Sequence, residues 1–458
     1  HGKIKLLARF EFQGIALNDI GHVRDNVPQI NENRLCRLEL GQFIDEQGNF
    51  VNEFADTVIT WFACEANIGL PALRTGSIAT GTSFFDREKE KKMIWEEVAA
   101  GKSVLLQAPR RYGKTSLLKF IQQNQLVGWK TCYVDVQGSK SAEDFLETLV
   151  GDLMLLEGFV SCQPPNLAHK EPWKLLSHER SELKRKERQL IKKGWREYGL
   201  SLFNGMYRDE KKVILIFDEF SYMLEDMLEF KDSKEVEGLM DWFAKVRKET
   251  KHISFILSGS EHLQTFLRRH EIDGKIDDLV PVSLGLFADK TALSLMLLLF
   301  IREGISVTKK ELDEILRLTG NPIPYFLQVF VDLLGSECRR REELAFQDIE
   351  YLYYAELLGP DSKRHFESVS QQLDRYGHYT KRGKEAAKKV LSYLASVTRE
   401  KVSKEDLKSI WSEYGGVTSS FDDVFDLMKD DFYIVDSQNH VAMTSKLIRD
   451  WWSKFAEE

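Results

Sequence analysis

From residue 84 to about residue 290, short apolar runs alternate with helix-length amphipathic stretches, a pattern that predicts a parallel sheet covered by helices. Five runs are the candidate strands: Ser103–Gln107, Thr131–Val136, Val213–Phe217, Ile253–Leu257 and Leu279–Leu284. They are continuously apolar rather than alternating, so both faces of each are expected to be buried. Residues 290 to 358 read as consecutive helices, broken at Thr319–Pro324 (TGNPIP). From residue 384 the spacing predicts helices over Lys384–Ser396, Lys404–Glu413 and Ser419–Lys429. An alternating stretch follows, Phe432–Met443 with a turn near Gln438-Asn439, and a last helix ends in Trp451-Trp452. Three helices, a hairpin and a closing helix outline a winged helix. No internal repeat is found.

Ahead of the sheet, Thr75–Ser83 (TGSIATGTS) concentrates threonine, serine and glycine and reads as a linker, which puts a boundary near residue 78. The preceding stretch holds a predicted strand, Ile4–Phe12, and a helix-like segment, Phe54–Cys64, but no recognisable chemistry.

Composition narrows the function classes. Of 458 residues, 43% are hydrophobic and 11% aromatic, enough for sizeable cores. Lys and Arg number 64 against 72 Asp and Glu, so no global positive field draws in nucleic acid, and any such contact must be local. The five cysteines, Cys36, Cys64, Cys132, Cys162 and Cys338, have no short paired spacing, which argues against a zinc knuckle or a disulfide framework and for a reducing compartment. No apolar run reaches the roughly 18 residues of a membrane span, and no signal-peptide layout opens the chain. A cytoplasmic location without membrane contact is expected.

The strongest chemical signal is Gln107–Ser116 (QAPRRYGKTS), between an apolar strand and a helix with apolar Leu117, Leu118, Phe120 and Ile121. A phosphate-binding loop needs backbone N–H groups wrapped around anionic oxygens at a helix N-terminus. Here Ala108, Pro109, Arg110, Arg111, Tyr112 and Gly113 would form the wrap, with Ser116 behind it. Lys114 would neutralise the terminal phosphates and the Thr115 hydroxyl would ligate magnesium. Ala108 stands where the usual spacing has its first glycine. Downstream, Val213–Glu219 (VILIFDE) delivers two carboxylates at a strand's C-terminal edge, where open parallel sheets bind ligands. Asp218 is expected to hold magnesium through its water shell, and Glu219 to orient and polarise the attacking water as general base. The fourth strand ends in Ser258-Gly259-Ser260-Glu261, and Ser258 is the candidate sensor of the γ-phosphate. Arg268 and Arg269, on the helix that follows, are candidates for transition-state charge, although adjacent arginines more often face solvent.

The run Ala79–Lys119, with Gly128-Trp129 and Tyr133–Gly138 (YVDVQG), resembles the bacterial and archaeal AAA-like ATPases whose loop reads Pro-Arg-Arg-x-Gly-Lys-Thr-Ser, relatives of the STAND NTPases and of origin-recognition AAA+ proteins. The resemblance covers residues 79–458. It implies an α/β P-loop NTPase sheet with a helical lid, binding of ATP with Mg2+, and ATPase activity. In that family Phe-x-Gly-Arg-Glu precedes the sheet; the counterpart here is Phe84–Glu88 with Asp86 at the glycine position, which makes Arg87 a nucleotide-side contact near the base. The lid's Gly-x-Pro turn, near adenine in the family, is matched by Gly320-Asn321-Pro322. The family's arginine after the fourth strand is Lys275 here, following Gly274, and lysine lacks the fork that grips two phosphate oxygens, so hydrolysis is expected to be slow or partner-stimulated. Leu427–Trp452 is similar to the winged helix that closes many members.

The expected organisation is therefore an N-terminal segment of open role (1–77), a P-loop core (78–288) with a basic helical insertion at about 163–210, a helical lid (289–378) and a winged-helix domain (379–458). Two basic surfaces compete as partner sites. Residues 381–408 hold nine Lys or Arg against four acids, which suits DNA phosphates or a solvated face inside the molecule. Residues 180–196 hold eight Lys or Arg and two Glu, with Leu183, Leu190, Ile191 and Trp195 interspersed as on a helix packed against protein. Three functions follow: a nucleotide-driven switch for a protein partner, another copy of itself or DNA; a winged-helix nucleic-acid binder regulated by nucleotide; and the ATPase subunit of a defence or mobile-element complex.

Overall fold

A computed structural model of the chain describes residues 71–155, 174–206, 212–259, 263–272, 274–303, 305, 307–341, 346–378, 380–397, 402–437 and 440–455, with five three-residue strands before residue 45. Those strands pair antiparallel, Lys5–Leu7 with Gln42–Ile44, and Phe10–Phe12 with both Ile15–Leu17 and Cys36–Leu38. The expected helix at 54–64 and the turn at 438–439 lie outside the described residues. Contacts divide the chain into a sheet unit, 87–110 with 114–285, and a helical unit, 1–86 with 111–113 and 286–458.

In the sheet unit the order is α1 (Glu88–Ala99), β1 (Ser103–Gln107), α2 (Lys114–Gln123), β2 (Trp129–Asp135), α3 (Ala142–Leu153), α4 (Ser177–Lys193), α5 (Trp195–Gly205), β3 (Lys212–Asp218), α6 (Phe220–Phe230), α7 (Ser233–Glu249), β4 (Ile253–Gly259), α8 (Leu263–Arg269) and β5 (Leu279–Ser283). All five strands are parallel and lie in the spatial order β5-β1-β4-β3-β2. Every residue of β4 is buried, as is all of β3 after Lys212, so the uninterrupted apolar runs do correspond to strands covered on both faces. Because β4 inserts between β1 and β3, the C-terminal ends of three neighbouring strands converge on one edge.

Helices cover the sheet by apolar faces. Leu117, Leu118 and Ile121 of α2 are buried, as are Phe145, Leu146, Leu149 and Val150 of α3, whose cap is the Ser141 side chain accepting from the Asp144 N–H at 3.1 Å. On the β3–β4 side, the Phe243 ring of α7 lies 6.0 Å from Phe217, 5.7 Å from Phe220 and 5.0 Å from Phe255. Phe243→Ala would open a cavity among three rings that cannot collapse together, and it is expected to cost about 3–5 kcal/mol of stability. The check is the denaturation midpoint, which should fall with an unchanged transition slope.

The insertion between β2 and β3 packs on this core. Ile191 is buried, and Leu183 and Trp195 pack against it, with Trp195 edge-on to Trp242 at 5.1 Å. Gly199 is required there, because a Cβ would sit 2.6 Å from the Trp242 ring. Glu187, buried on α4, accepts the hydroxyl of Tyr198 on α5 at 2.6 Å, and burial raises the carboxyl's pKa although that bond works against the shift. The amphipathic reading of 180–196 holds, with its basic residues on the outer face.

The helical unit contains α9 (Asp289–Arg302), α10 (Lys309–Thr319), α11 (Pro324–Arg341), α12 (Phe346–Leu352), α13 (Lys363–Gln372), α14 (Gly383–Ser396), α15 (Lys404–Glu413), α16 (Phe421–Asp430), an antiparallel hairpin of β6 (Ile434–Ser437) and β7 (His440–Met443), and α17 (Lys446–Phe455). The last six elements follow the order expected from the sequence. The closing tryptophans pin α17: Trp451 stacks on Phe366 at 4.9 Å, and the Trp452 indole N–H donates to Ser392 Oγ at 3.1 Å. Among the described residues no helix is long and apolar enough to cross a membrane.

Candidate active site

The loop after β1 and the ends of β3 and β4 supply the site. At Gly113, φ is 91°, and a Cβ there would meet nothing within 4 Å, so conformation rather than space demands glycine. Ala108 has no such demand: its φ is negative and its side chain is buried, which is why the loop can do without its first glycine. Immediately after the turn, α2 starts at Lys114 and presents the Lys114 and Thr115 side chains to β3.

Asp218 is 1% exposed and is the hub. Its Oδ2 accepts the Thr115 hydroxyl and the Tyr133 hydroxyl, each at 2.9 Å, while Oδ1 accepts the Ser258 hydroxyl and, at 3.0 Å, the Glu219 N–H. Glu219 has φ 58° and ψ 34°, a left-handed conformation that a non-glycine residue adopts at a cost of about 1 kcal/mol or more. From there its Oε1 lies 3.3 Å from Lys114 Nζ, with the lysine side chain 7% exposed. The second oxygen, Oε2, is buried without a hydrogen-bond partner. An orphaned carboxylate oxygen next to a buried ammonium is a costly arrangement unless something else is accommodated there.

The sheet unit thus brings together Lys114, Thr115, Asp218, Glu219 and Ser258. It does not bring Arg87 to a ligand-facing position: the guanidinium is buried, donating to the Gly285 carbonyl at 2.8 Å and to Glu90 at 3.2 Å. Arg110 donates to the Tyr222 hydroxyl and stacks over that ring at 4.9 Å. Lys275 pairs with Asp241 on α7, and Arg268 is exposed. In the helical unit, Arg111 lies over Tyr325 at 4.2 Å and the buried Tyr112 ring is 5.2 Å from Phe432. Pro322, also in that unit, gives its carbonyl to the Phe287 N–H at 3.2 Å, and its neighbour Asn321 donates to the Thr444 carbonyl.

Two residues of the site went unread in the sequence, Tyr133 and Lys119. Lys119, one turn beyond Thr115, holds its ammonium 3.3 Å above the Tyr133 ring. Burial lowers the Lys119 pKa even though Asp152, Asp218 and Asp135 pull it upward, and burial, followed by the charge of Asp218 and its hydrogen bond, raises that of the Tyr133 phenol. Strand alternation puts Tyr133 on the same face of β2 as Asp135, but the register that pairs Asp135 with Asp218 is set by the tertiary fold, so no signal in the sequence singles Tyr133 out.

Among the described residues no three His, Cys, Asp or Glu side chains form a metal cage. The hard oxygens of Thr115 and Asp218 nevertheless suit Mg2+, which takes one or two protein ligands and fills its octahedron from phosphate and water. The buried Lys114 and the partnerless Glu219 Oε2 alongside fit a triphosphate and its attacking water.

No family model matches the sequence, and no curated protein matches it. Among solved structures, a Walker-type ATPase of Pyrococcus abyssi is 18% identical, with 83% of this chain and 98% of that one superposed at a TM-score of 0.54. The chain has the fold of a Walker-type P-loop ATPase. The ORC2 protein of Aeropyrum pernix, solved with ADPNP and ADP, is 11% identical over 81% of this chain and 91% of its own, at a TM-score of 0.49. Here the loop after β1 and the acidic end of β3 face the same edge of the sheet, which brings Lys114 to Glu219 and Thr115 to Asp218.

Proposed function

We propose that this chain binds ATP with Mg2+ through Lys114, Thr115 and Asp218, hydrolyses it with Glu219 as general base, and uses the cycle as a conformational switch for a protein partner or another copy of itself. The observation that supports this best is that the site is closed on itself by two exchangeable pairs, Lys114 with Glu219 and Thr115 with Asp218. A triphosphate would take the Lys114 ammonium from Glu219, and a carboxylate so released can accept a proton from water. Ser258, already on Asp218 Oδ1, sits on β4 between the two halves of the site and suits a sensor of the terminal phosphate. The backbone amides of residues 108–113, with Ser116, would wrap the phosphates. Magnesium, when bound, would neutralise charge between phosphate oxygens.

The same residues therefore have two arrangements, one paired internally and one paired to ligand, and only such differential contacts let a nucleotide shift an equilibrium. Slow unassisted turnover is consistent with Lys275, at the family's arginine position, being committed to Asp241. The DNA reading draws less support: in the basic stretch 381–408, Lys384 pairs with Asp374 and Lys404 with Asp422 at 2.7 Å, while Lys389 lies over Tyr414.

The test is isothermal titration with ATP in magnesium buffer, together with phosphate release. Saturable binding with turnover supports the reading. Absence of binding, or salt-sensitive DNA binding with no nucleotide effect, would refute it.

A further inference from the structure

Tyr133 has no place in the reading above, yet it occupies a pivotal position. Its hydroxyl and that of Thr115 donate to the same oxygen of Asp218, both at 2.9 Å, while the other oxygen is taken by Ser258 and the Glu219 amide. The two donors on Oδ2 differ in what they can do next. A threonine hydroxyl that ligates a cation gives it an oxygen lone pair and can still donate its proton to Asp218, but its position is then set by the metal as well as by the carboxylate. The Tyr133 phenol is anchored independently of any metal. Tyr133 belongs to β2, which pairs with β3 along seven residues from Trp129↔Lys212 to Asp135↔Asp218, and the Lys119 ammonium caps its ring at 3.3 Å.

We infer that Tyr133 is a positioning residue for divalent metal: it holds Asp218, from a strand fixed independently of the metal, in the rotamer in which Thr115 and Asp218 together would hold the hydrated cation. The inference rests on the proposed nucleotide site and adds to it the group that sets its magnesium dependence. The arrangement also assigns a role to Lys119, which with Thr115 forms an i, i+4 pair on α2 that encloses the tyrosine. Without the hydroxyl, the buried carboxylate would keep a single donor on Oδ2, the Thr115 hydroxyl.

Tyr133→Phe removes one oxygen and keeps the ring under Lys119. The probe is a fluorescent ATP analogue, titrated in EDTA and across a magnesium series, with Mn2+ paramagnetic resonance in the presence of ATP as a direct measure of metal occupancy. In Tyr133→Phe the magnesium concentration for half-maximal effect, and the Mn2+ dissociation constant, are expected to rise about tenfold, as for loss of a hydrogen bond to a charged group. Affinity for the analogue in EDTA should stay within about twofold, a split that a general loss of packing would not produce. Lys119→Gln, which keeps the hydroxyl, should move the metal dependence less than threefold. Equal magnesium dependence in Tyr133→Phe and wild type would overturn the inference while leaving the nucleotide site standing. Equal losses in EDTA and magnesium would also overturn it, by showing a purely structural role. A wild-type protein that binds no analogue under any condition would remove the site itself, and this inference with it.

Discussion

Lys114→Ala is expected to lower affinity for magnesium-ATP by about a hundredfold or more, roughly 2.7 kcal/mol. Two terms add. The ammonium lies between the loop and the acid at the end of β3, and charge-assisted contacts to phosphate are the strong ones. Its loss also leaves Glu219, one of whose oxygens already lacks a partner, as an uncompensated negative charge that would repel the incoming phosphates. Calorimetric titration reads the affinity directly, and far-ultraviolet dichroism checks that the chain remains folded. An affinity within threefold of wild type would show that the loop does not hold the phosphates.

Glu219→Gln is expected to separate binding from turnover. Glutamine keeps the shape and a carbonyl oxygen toward Lys114 but cannot take a proton, and loss of a general base costs about 100- to 10,000-fold in rate. ATP should still bind, as tightly as in wild type or more so, because the ammonium no longer has a carboxylate to leave. The left-handed backbone at residue 219 is expected to be tolerated by the amide, so folding should not confuse the result. ATP retained through gel filtration, with phosphate release at background, is the predicted pair of observations. Turnover within threefold of wild type would assign the base elsewhere.

Tyr133 shows where reading a sequence stops. Its side chain is one of 14 tyrosines, and nothing in YVDVQG marks its hydroxyl as a partner of a residue 85 positions downstream. Arg87, which the resemblance places on the nucleotide side, is buried with its guanidinium on Gly285 and Glu90. Lys275, at the family's arginine position, pairs with Asp241. Arg110 and Arg111 look alike in the loop, yet one ends on Tyr222 and the other on Tyr325.

Local physics was enough for the parts that depend on neighbours along the chain. Continuous apolar runs could only be two-sided strands, a glycine was needed where φ is 91°, and a lysine and threonine at the start of a helix were bound to face its positive end. The five expected strands of the parallel sheet match the observed ones to within two residues at each end, whereas the single strand expected over 4–12 is two strands, Lys5–Leu7 and Phe10–Phe12. What the chain alone could not decide is everything set by strand order. Insertion of β4 between β1 and β3 is what puts Ser258 on Asp218 Oδ1, and the β2–β3 register is what brings Tyr133 to Oδ2. Those are pairings between residues tens of positions apart, chosen by the burial of whole faces, and no local pattern carries that information.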